Sequence, residues 1–285
     1  MGQSVPTRGH ADIASRGQPL RDNERLSAVV NPGNSSLSAG LVTAVVPALN
    51  EENNIAAAIS SIKTAADEFA AGNVEIIVVN DGSTDATGRI AEDCARAMPC
   101  VRVIHHRSPH GVGASFREAL SQAKGEKFTV FAGDNNVSAA LVGDLFRCKD
   151  AADVVVSYIM NTEERGSLRH VVSTLFSMTY VLFFGIHLKY INGNTIWPTR
   201  LLRECDIRAR GYSIMAETNV KMLRRDVSFL EIPGAMNKAA TKSQAIKLSN
   251  LVEVIGTFLR LLWQVHVSKR ALYGFAARRV AGSSV

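Results

Sequence analysis

"VEIIVVNDGSTDATGRI", Val74 to Ile90, decides the fold. The run from Val74 to Asn80 is apolar and β-branched, with no regular polar alternation. A strand of that kind is buried on both faces, as in a parallel sheet covered by helices. Asp81 ends it and Gly82 turns the chain. Ser83 or Thr84 then offers an N-cap to a helix running on to Met98. Strand, acidic turn and helix make one βα unit.

The unit recurs on either side. "LVTAVVPALNEE" (41–52) is a first buried strand, followed by a helical pattern from Asn53 to Ala71 with Ile55, Ile59 and Ile62 on one face. "VRVIHH" (101–106) is a third strand, and "GVGASFREALSQAKG" (111–125) a third helix closed by Gly125. "KFTVFAG" (127–133) and "ADVVVSYI" (152–159) are a fourth and a fifth strand. The pattern predicts an α/β fold: a Rossmann-like, mostly parallel sheet with helices on both faces. Such sheets bind ligands beyond the carboxyl ends of their strands. The polar clusters "ALNEE", "NDGSTD" and "GDNN" all fall there.

The chain has 285 residues, 46% of them hydrophobic, enough for one large domain with extensions. Its formal charge of +6 suits anionic partners such as nucleotides, phosphates or a membrane surface. The basic residues lack interleaved aromatics, which argues against nucleic acid. Cys94, Cys100, Cys148 and Cys205 form no CxxC pair and have no His-rich spacing, which argues against a zinc site or disulfide framework and fits a reducing cytosol. Residues 1–39 are rich in Gly, Ser, Pro, Arg and Asn and hold no apolar core of signal-peptide type. They read as a flexible tail, before a domain over 40–240 and a C-terminal amphipathic helix and tail over 241–285. The expected location is cytoplasmic, with peripheral contact to the cytosolic membrane face.

Two apolar stretches bear on that contact. "HVVSTLFSMTYVLFFGIHL" (170–188) is interrupted by Ser, Thr and Gly and is marginal against the roughly 20 apolar residues of a spanning helix. It reads as a buried or interfacial helix. "LVEVIGTFLRLLWQVHV" (251–267) places Leu251, Val254, Ile255, Phe258, Leu262 and Val265 on one side. Either a membrane surface or the protein core would accept that face.

The strand ends carry candidate chemistry beside plain structural readings. Asn50 and Glu51, after Pro47, could hold ribose hydroxyls or a base edge; equally, Asn50 or Asn53 could cap a helix. Asp81 could accept from a nucleobase or ribose; equally, Asp-Gly is a common turn. Two acidic strand ends from adjacent units, with Gly133-Asp134-Asn135-Asn136 ending the fourth strand, favour a site.

The ordered set "PALNEE", "NDGSTDAT", "GVGASFREAL" and the Asp134 segment resembles the GT-A fold, family 2 glycosyltransferases. Within them it is similar to the dolichyl- or polyprenyl-phosphate sugar synthases, from about Leu41 to about Leu262. The resemblance implies an inverting transfer from a nucleotide-diphosphate sugar, usually with Mg²⁺ or Mn²⁺. It assigns the donor nucleotide to Pro47, Asn50, Glu51, Asp81, Gly111, Gly133 and Asp134. The family's metal segment, Asp-x-Asp-x-Gln or a close relative, here reads Ala132-Gly133-Asp134-Asn135-Asn136. Asp134 is the expected metal anchor and Asn136 a second ligand. Mg²⁺ takes oxygen ligands from one or two carboxylates, phosphates and water, so a donor diphosphate can complete the set.

The resemblance also suggests a polyprenyl phosphate acceptor. Arg165, Arg169 and Ser173, in "RGSLRHVVS", and Lys238 are the expected phosphate ligands, since Arg binds phosphate bidentately and Lys as a point charge. Arg169 joins Asp134 and Glu217 as the catalytic set. Glu217, in "MAETNV", is read as orienting the acceptor or a basic residue, or as the base if the acceptor is a hydroxyl. A soluble hydroxyl acceptor, or a catalytically impaired binding protein given Ala132, are the competing readings.

Overall fold

The β-branched runs at 42–48 and 74–80 pair side by side, and the sheet grows outward from them. The computed structural model describes residues 37–70, 72–160, 177–211, 213–237 and 248–280, with side chains of 248–251 left aside. Its strands are β1 (Ser38–Ala48), β2 (Val74–Asn80), β3 (Val101–His105), β4 (Gly125–Val130), β5 (Val154–Ile159), β6 (Thr195–Pro198), β7 (Ser228–Gly234) and β8 (Arg278–Arg279). They form one sheet in the order β3-β2-β1-β4-β6-β5-β7-β8. Every pairing is parallel except the two made by β6, which runs antiparallel to β4 and β5.

The helices are α1 (Ile55–Phe69), α2 (Thr87–Ala97), α3 (Val112–Gln122), α4 (Ala139–Arg147), α5 (Thr199–Arg203), α6 (Ile214–Leu223), α7 (Leu248–Trp263) and α8 (Arg270–Tyr273). Residues 177–184 are also helical, and α7 runs into a π-helical turn over Gln264–Ser268. Alternate strand residues feed two apolar layers. Val42, Ala44 and Val46 meet α1, α2 and α4 on one face. Val45, Ile77 and Val79 meet α3, α6, α7 and the 177–184 helix on the other. Both faces of each central strand are therefore apolar. Each fully buried Ile or Phe adds about 1.5–3 kcal/mol, so these layers dominate the stability. Leu261, Val265 and Tyr273 are buried in the second layer, which makes the C-terminal segment part of the core. No helix among the described residues is long and apolar enough to cross a membrane.

Several local expectations change. Ser83 and Thr84 do not cap α2. Ser83 Oγ accepts from the Asn50 amide, and the Thr84 amide donates to Asn50 Oδ1. Asp85 accepts the Thr87 amide instead, and Glu52 accepts that of Ala86. Gly125 does not close α3. It opens β4, where an added Cβ would lie 2.5 Å from the Thr43 nitrogen. Thr195–Pro198 forms a strand, β6, that the sequence pattern does not announce. The tail is expected to end at residue 39, but β1 already starts at Ser38; residues 1–36 lie outside the described residues.

Candidate functional site

Strand order reverses at β1, which has β2 on one side and β4 on the other. At such a switch point the loops leave in opposite directions and open a crevice at the carboxyl ends. Pro47–Glu51 and Ala132–Asn136 border it. The two loops touch directly: the Gly133 amide donates to the Pro47 carbonyl at 3.0 Å. A Cβ on Gly133 would come within 2.9 Å of Ala48 Cβ, so the close approach needs glycine.

Asp134 is half-buried on this edge, and burial raises its carboxyl above the usual value. The Asn136 amide donates to Oδ1 at 3.2 Å and its side-chain NH₂ to Oδ2 at 3.0 Å. Asn136 thus orients Asp134 with the donor end of its amide; the acceptor end would face a shared cation only if the amide turned over. Ala132, where the resemblance expects a carboxylate, is exposed. The loop is fastened from β7. The Asn237 amide donates to Asn136 O at 2.8 Å, and its side chain donates to the Asn135 and Val137 carbonyls. Asn135, at φ 51°, holds the left-handed turn that aims these carbonyls.

Glu51 faces the same edge. Burial raises its carboxyl, with the Asp134 and Asp85 charges pushing the same way and the Asn54 side chain, donating at 2.9 Å, holding it down. Asn50, at φ 57°, is exposed and spends its Oδ1 on Thr84. A Glu51–Asp134 edge repels anions but suits a divalent cation that brings its own phosphate oxygens. No group of three or more His, Cys, Asp or Glu placed to hold a metal ion exists among the described residues, so the protein alone offers a thin ligand set.

Asp81 is buried, and its carboxylate is largely committed. Oδ1 accepts from His106 Nδ1 at 2.6 Å and the His110 amide at 2.8 Å; Oδ2 accepts from the Gly111 amide at 2.8 Å. One lone pair is left for a ligand. Gly111, at φ 87°, opens α3 against the Arg210 carbonyl. His106 Nε2 donates to Glu118 at 2.7 Å, so the ring bridges two carboxylates. Burial favours the neutral ring, but hydrogen bonds to Asp81 and Glu118 outweigh it and raise His106 above its usual value. Burial likewise opposes ionisation of Asp81, yet His106 and the two backbone donors hold it below its usual value.

Signs follow from those directions. The raised His106 stabilises below the ordinary histidine value, and that contribution is lost as pH rises through the folded value. The lowered Asp81 stabilises above the ordinary aspartate value, with loss as pH falls through the folded one. His106→Gln is expected to cost about 1.5–3 kcal/mol at pH 6 and much less at pH 9. Urea unfolding at both pH values checks this; parallel losses in variant and parent would refute it.

Of the readings of Glu217, the structure fits the one in which it orients a basic residue. It is fully buried, as is its partner Lys221. Oε1 accepts from Lys221 Nζ at 2.6 Å, and Oε2 accepts the amides of Arg208 and Ala209. Both oxygens are used. Lys221 Nζ also donates to the Asp206 carbonyl. Glu217 thus holds Lys221 and the 206–211 loop, which packs on Gly111 and Gly113. Arg165, Arg169, Ser173 and Lys238 lie outside the described residues. Asn237, His106 and the bond from the Glu52 amide to Asp85 were not read from sequence, because their partners sit 12 to 102 residues away.

This sheet, with its crevice at the β1/β4 switch, is that of the GT-A glycosyltransferases. Glucosyl-3-phosphoglycerate synthase from Mycobacterium tuberculosis superposes with a TM-score of 0.57 in its UDP complex, at 20% identity over 78% of this chain and 80% of that one. Its complex with Mn²⁺, UDP and phosphoglyceric acid gives 0.56, at 20% identity over 78% of each chain. The model of glycosyl transferase family 2 matches residues 43–207, more than half of the chain, and the chain belongs to that family. It is a glycosyltransferase. Polyprenol monophosphomannose synthase from Mycolicibacterium smegmatis is 24% identical over 225 residues, 74% of this chain and 83% of that protein. Glycosyltransferase GlyG from Streptococcus pneumoniae is 36% identical over 95 residues, and that match spans 31% of GlyG.

Proposed function

We propose that the chain transfers a sugar from a nucleotide diphosphate to a polyprenyl phosphate, with inversion. The acceptor oxygen bonds to the anomeric carbon as the bond to the diphosphate breaks, and the diphosphate leaves with the electron pair. The observation that carries this reading is the burial of Glu217 in an ion pair. A hydroxyl acceptor needs a base to take its proton. The helix in which the sequence offered that base turns its carboxylate into the core. An acceptor phosphate is already an anion and needs cations instead, the role proposed for Arg165, Arg169, Ser173 and Lys238. The mannose synthase relative, matched over most of both chains, supports the same acceptor.

Pro47, Glu51, Asp81 and Gly111 are proposed to border the donor nucleotide, with Asn50 and Gly133 fixing the loops between them. Mg²⁺ or Mn²⁺ fits Asp134, a part-buried carboxylate with an exposed gap at Ala132 beside it. When bound, the ion would neutralise charge on the leaving diphosphate. A soluble phosphorylated acceptor is the second reading, favoured by the phosphoglyceric acid in a structural neighbour. Transfer from a panel of labelled nucleotide sugars, with Mg²⁺ or Mn²⁺, separates the two. Label extracted into organic solvent with polyprenyl phosphate is expected. Label appearing only on a water-soluble phosphate would replace the reading.

A further inference from the structure

The helix α7 is apolar on two opposite faces. Inward, Phe258 meets Tyr180, Phe183 and Phe184 at ring separations of 5.4–5.5 Å, and Leu261 and Val265 are buried. Outward, Val252, Ile255, Leu259, Trp263 and Val267 are each at least 50% exposed. Their spacing of three, four, four and four makes one stripe roughly 20 Å long. The sequence had put Ile255 on one side with Phe258 and Val265, open to core or membrane; the structure parts them, with Ile255 outward and Val265 inward. Beside the stripe, the 177–184 helix exposes Met178 and Leu182, and His266 Nε2 ties the two elements together at the Phe183 carbonyl.

We propose that this outer face docks on an anionic lipid bilayer, with α7 lying in the interface plane. Charge selects that occupant. From Leu248 to Val285 the sequence holds Arg260, Lys269, Arg270, Arg278 and Arg279 against one acid, Glu253. Glu253 is turned inward, where it accepts from the Arg210 and Gly211 amides and Ser213 Oγ. Lys269, Arg278 and Arg279 pair with Asp206, Asp226 and Glu231 of other elements, whereas Arg260 and Arg270 have no acid partner among the described residues and are the cations left for an anionic surface. Arg260 and Arg270, with the exposed Trp263, are the cationic and aromatic parts of an interfacial helix. A second copy fits less well, since a two-fold contact would set like charges together.

The position also suits the proposed reaction. Glu253 anchors Arg210, Gly211 and Ser213, and the Arg210 carbonyl accepts the Gly113 amide at the mouth of α3. The stripe thus begins two contacts from the donor loop. The functional meaning of docking rests on the polyprenyl phosphate reading, but the docking itself can be tested without turnover.

The full chain is mixed with phosphatidylcholine vesicles, with and without about one-third phosphatidylglycerol, and sedimented. Binding at least about tenfold stronger with phosphatidylglycerol is expected, falling as salt rises. Trp263 supplies an internal probe. Trp197 is fully buried, so a blue shift on vesicle addition reports Trp263. Leu259→Asp with Trp263→Asp is expected to lower binding at least about tenfold while leaving donor hydrolysis in detergent-free buffer unchanged. Wild-type protein left in the supernatant at low salt, or a double variant that binds as well, overturns the proposal. A dimer that the double variant splits, with no vesicle binding in the parent, assigns the stripe to a second copy instead. Vesicle binding as expected, with no transfer to polyprenyl phosphate, leaves the docking surface standing and removes the acceptor reading.

Discussion

Asp134→Asn is expected to lower kcat/KM by about 10³-fold or more, which is about 4 kcal/mol of lost transition-state stabilisation. The fold should persist, because Asp134 is half-buried at a loop and its partners, the backbone and side-chain amides of Asn136, can donate to an amide oxygen. Its charge is what the substitution removes. No cluster of three candidate ligand side chains accompanies Asp134 among the described residues, so a divalent ion loses its one fixed carboxylate. The same thinness predicts order of binding. Mn²⁺ should bind the free protein weakly and tighten at least about tenfold when a nucleoside diphosphate supplies oxygens. Ala132→Asp tests this from the other side. Ala132 is exposed beside the site, so a carboxylate fits there without displacing packed atoms. It should lower the Mn²⁺ concentration for half-maximal binding to the free protein by about tenfold. Titration calorimetry with and without nucleoside diphosphate reads all three proteins. An Asp134→Asn enzyme within threefold of the parent would remove the metal assignment.

The parts of this site legible in sequence are those set by short-range rules. Buried strands announce themselves at Val74–Asn80 and Phe128–Val130 because both faces of a parallel sheet are apolar. Strand ends follow from them, and with them the positions of Asp81 and Asp134. Side-chain commitments do not follow. Ser83 and Thr84 look like caps, but Asn50, more than 30 residues earlier, recruits both. Gly125 looks like a helix stop and is instead the place where β4 passes Thr43. The four-residue β6 is not announced by its sequence, because an antiparallel strand between β4 and β5 is chosen by its neighbours. Helical period also cannot say which of two apolar faces of α7 meets the core. The core is decided by Tyr180 and Phe184, on a helix more than 70 residues away.

Glu217 is the sharpest case, since a helix-borne acid reads the same whether it faces substrate or the core. Removing it should unfold the protein more than it slows it. In Glu217→Ala, Lys221 would keep a buried charge with no counter-ion, and the Arg208 and Ala209 amides would lose their acceptor. Breaking such a pair from one side costs about 3–5 kcal/mol, a large share of a typical domain's stability. Lys221→Met should cost a similar amount, because it strands the carboxylate. Joined with Glu217→Leu, it should restore part of the loss, since an apolar pair of like volume replaces both charges without a desolvation penalty. A catalytic base would behave otherwise. Its loss would leave the denaturation midpoint in place, cut kcat by about 10²–10⁴-fold and remove the acid limb of the pH profile. Urea unfolding of the two single variants and the double variant, with kinetics on whatever remains folded at low temperature, separates the roles. Single variants as stable as the parent would return Glu217 to the substrate. With both singles destabilised and the double recovering, the carboxylate is the clasp of the 206–211 loop rather than a base.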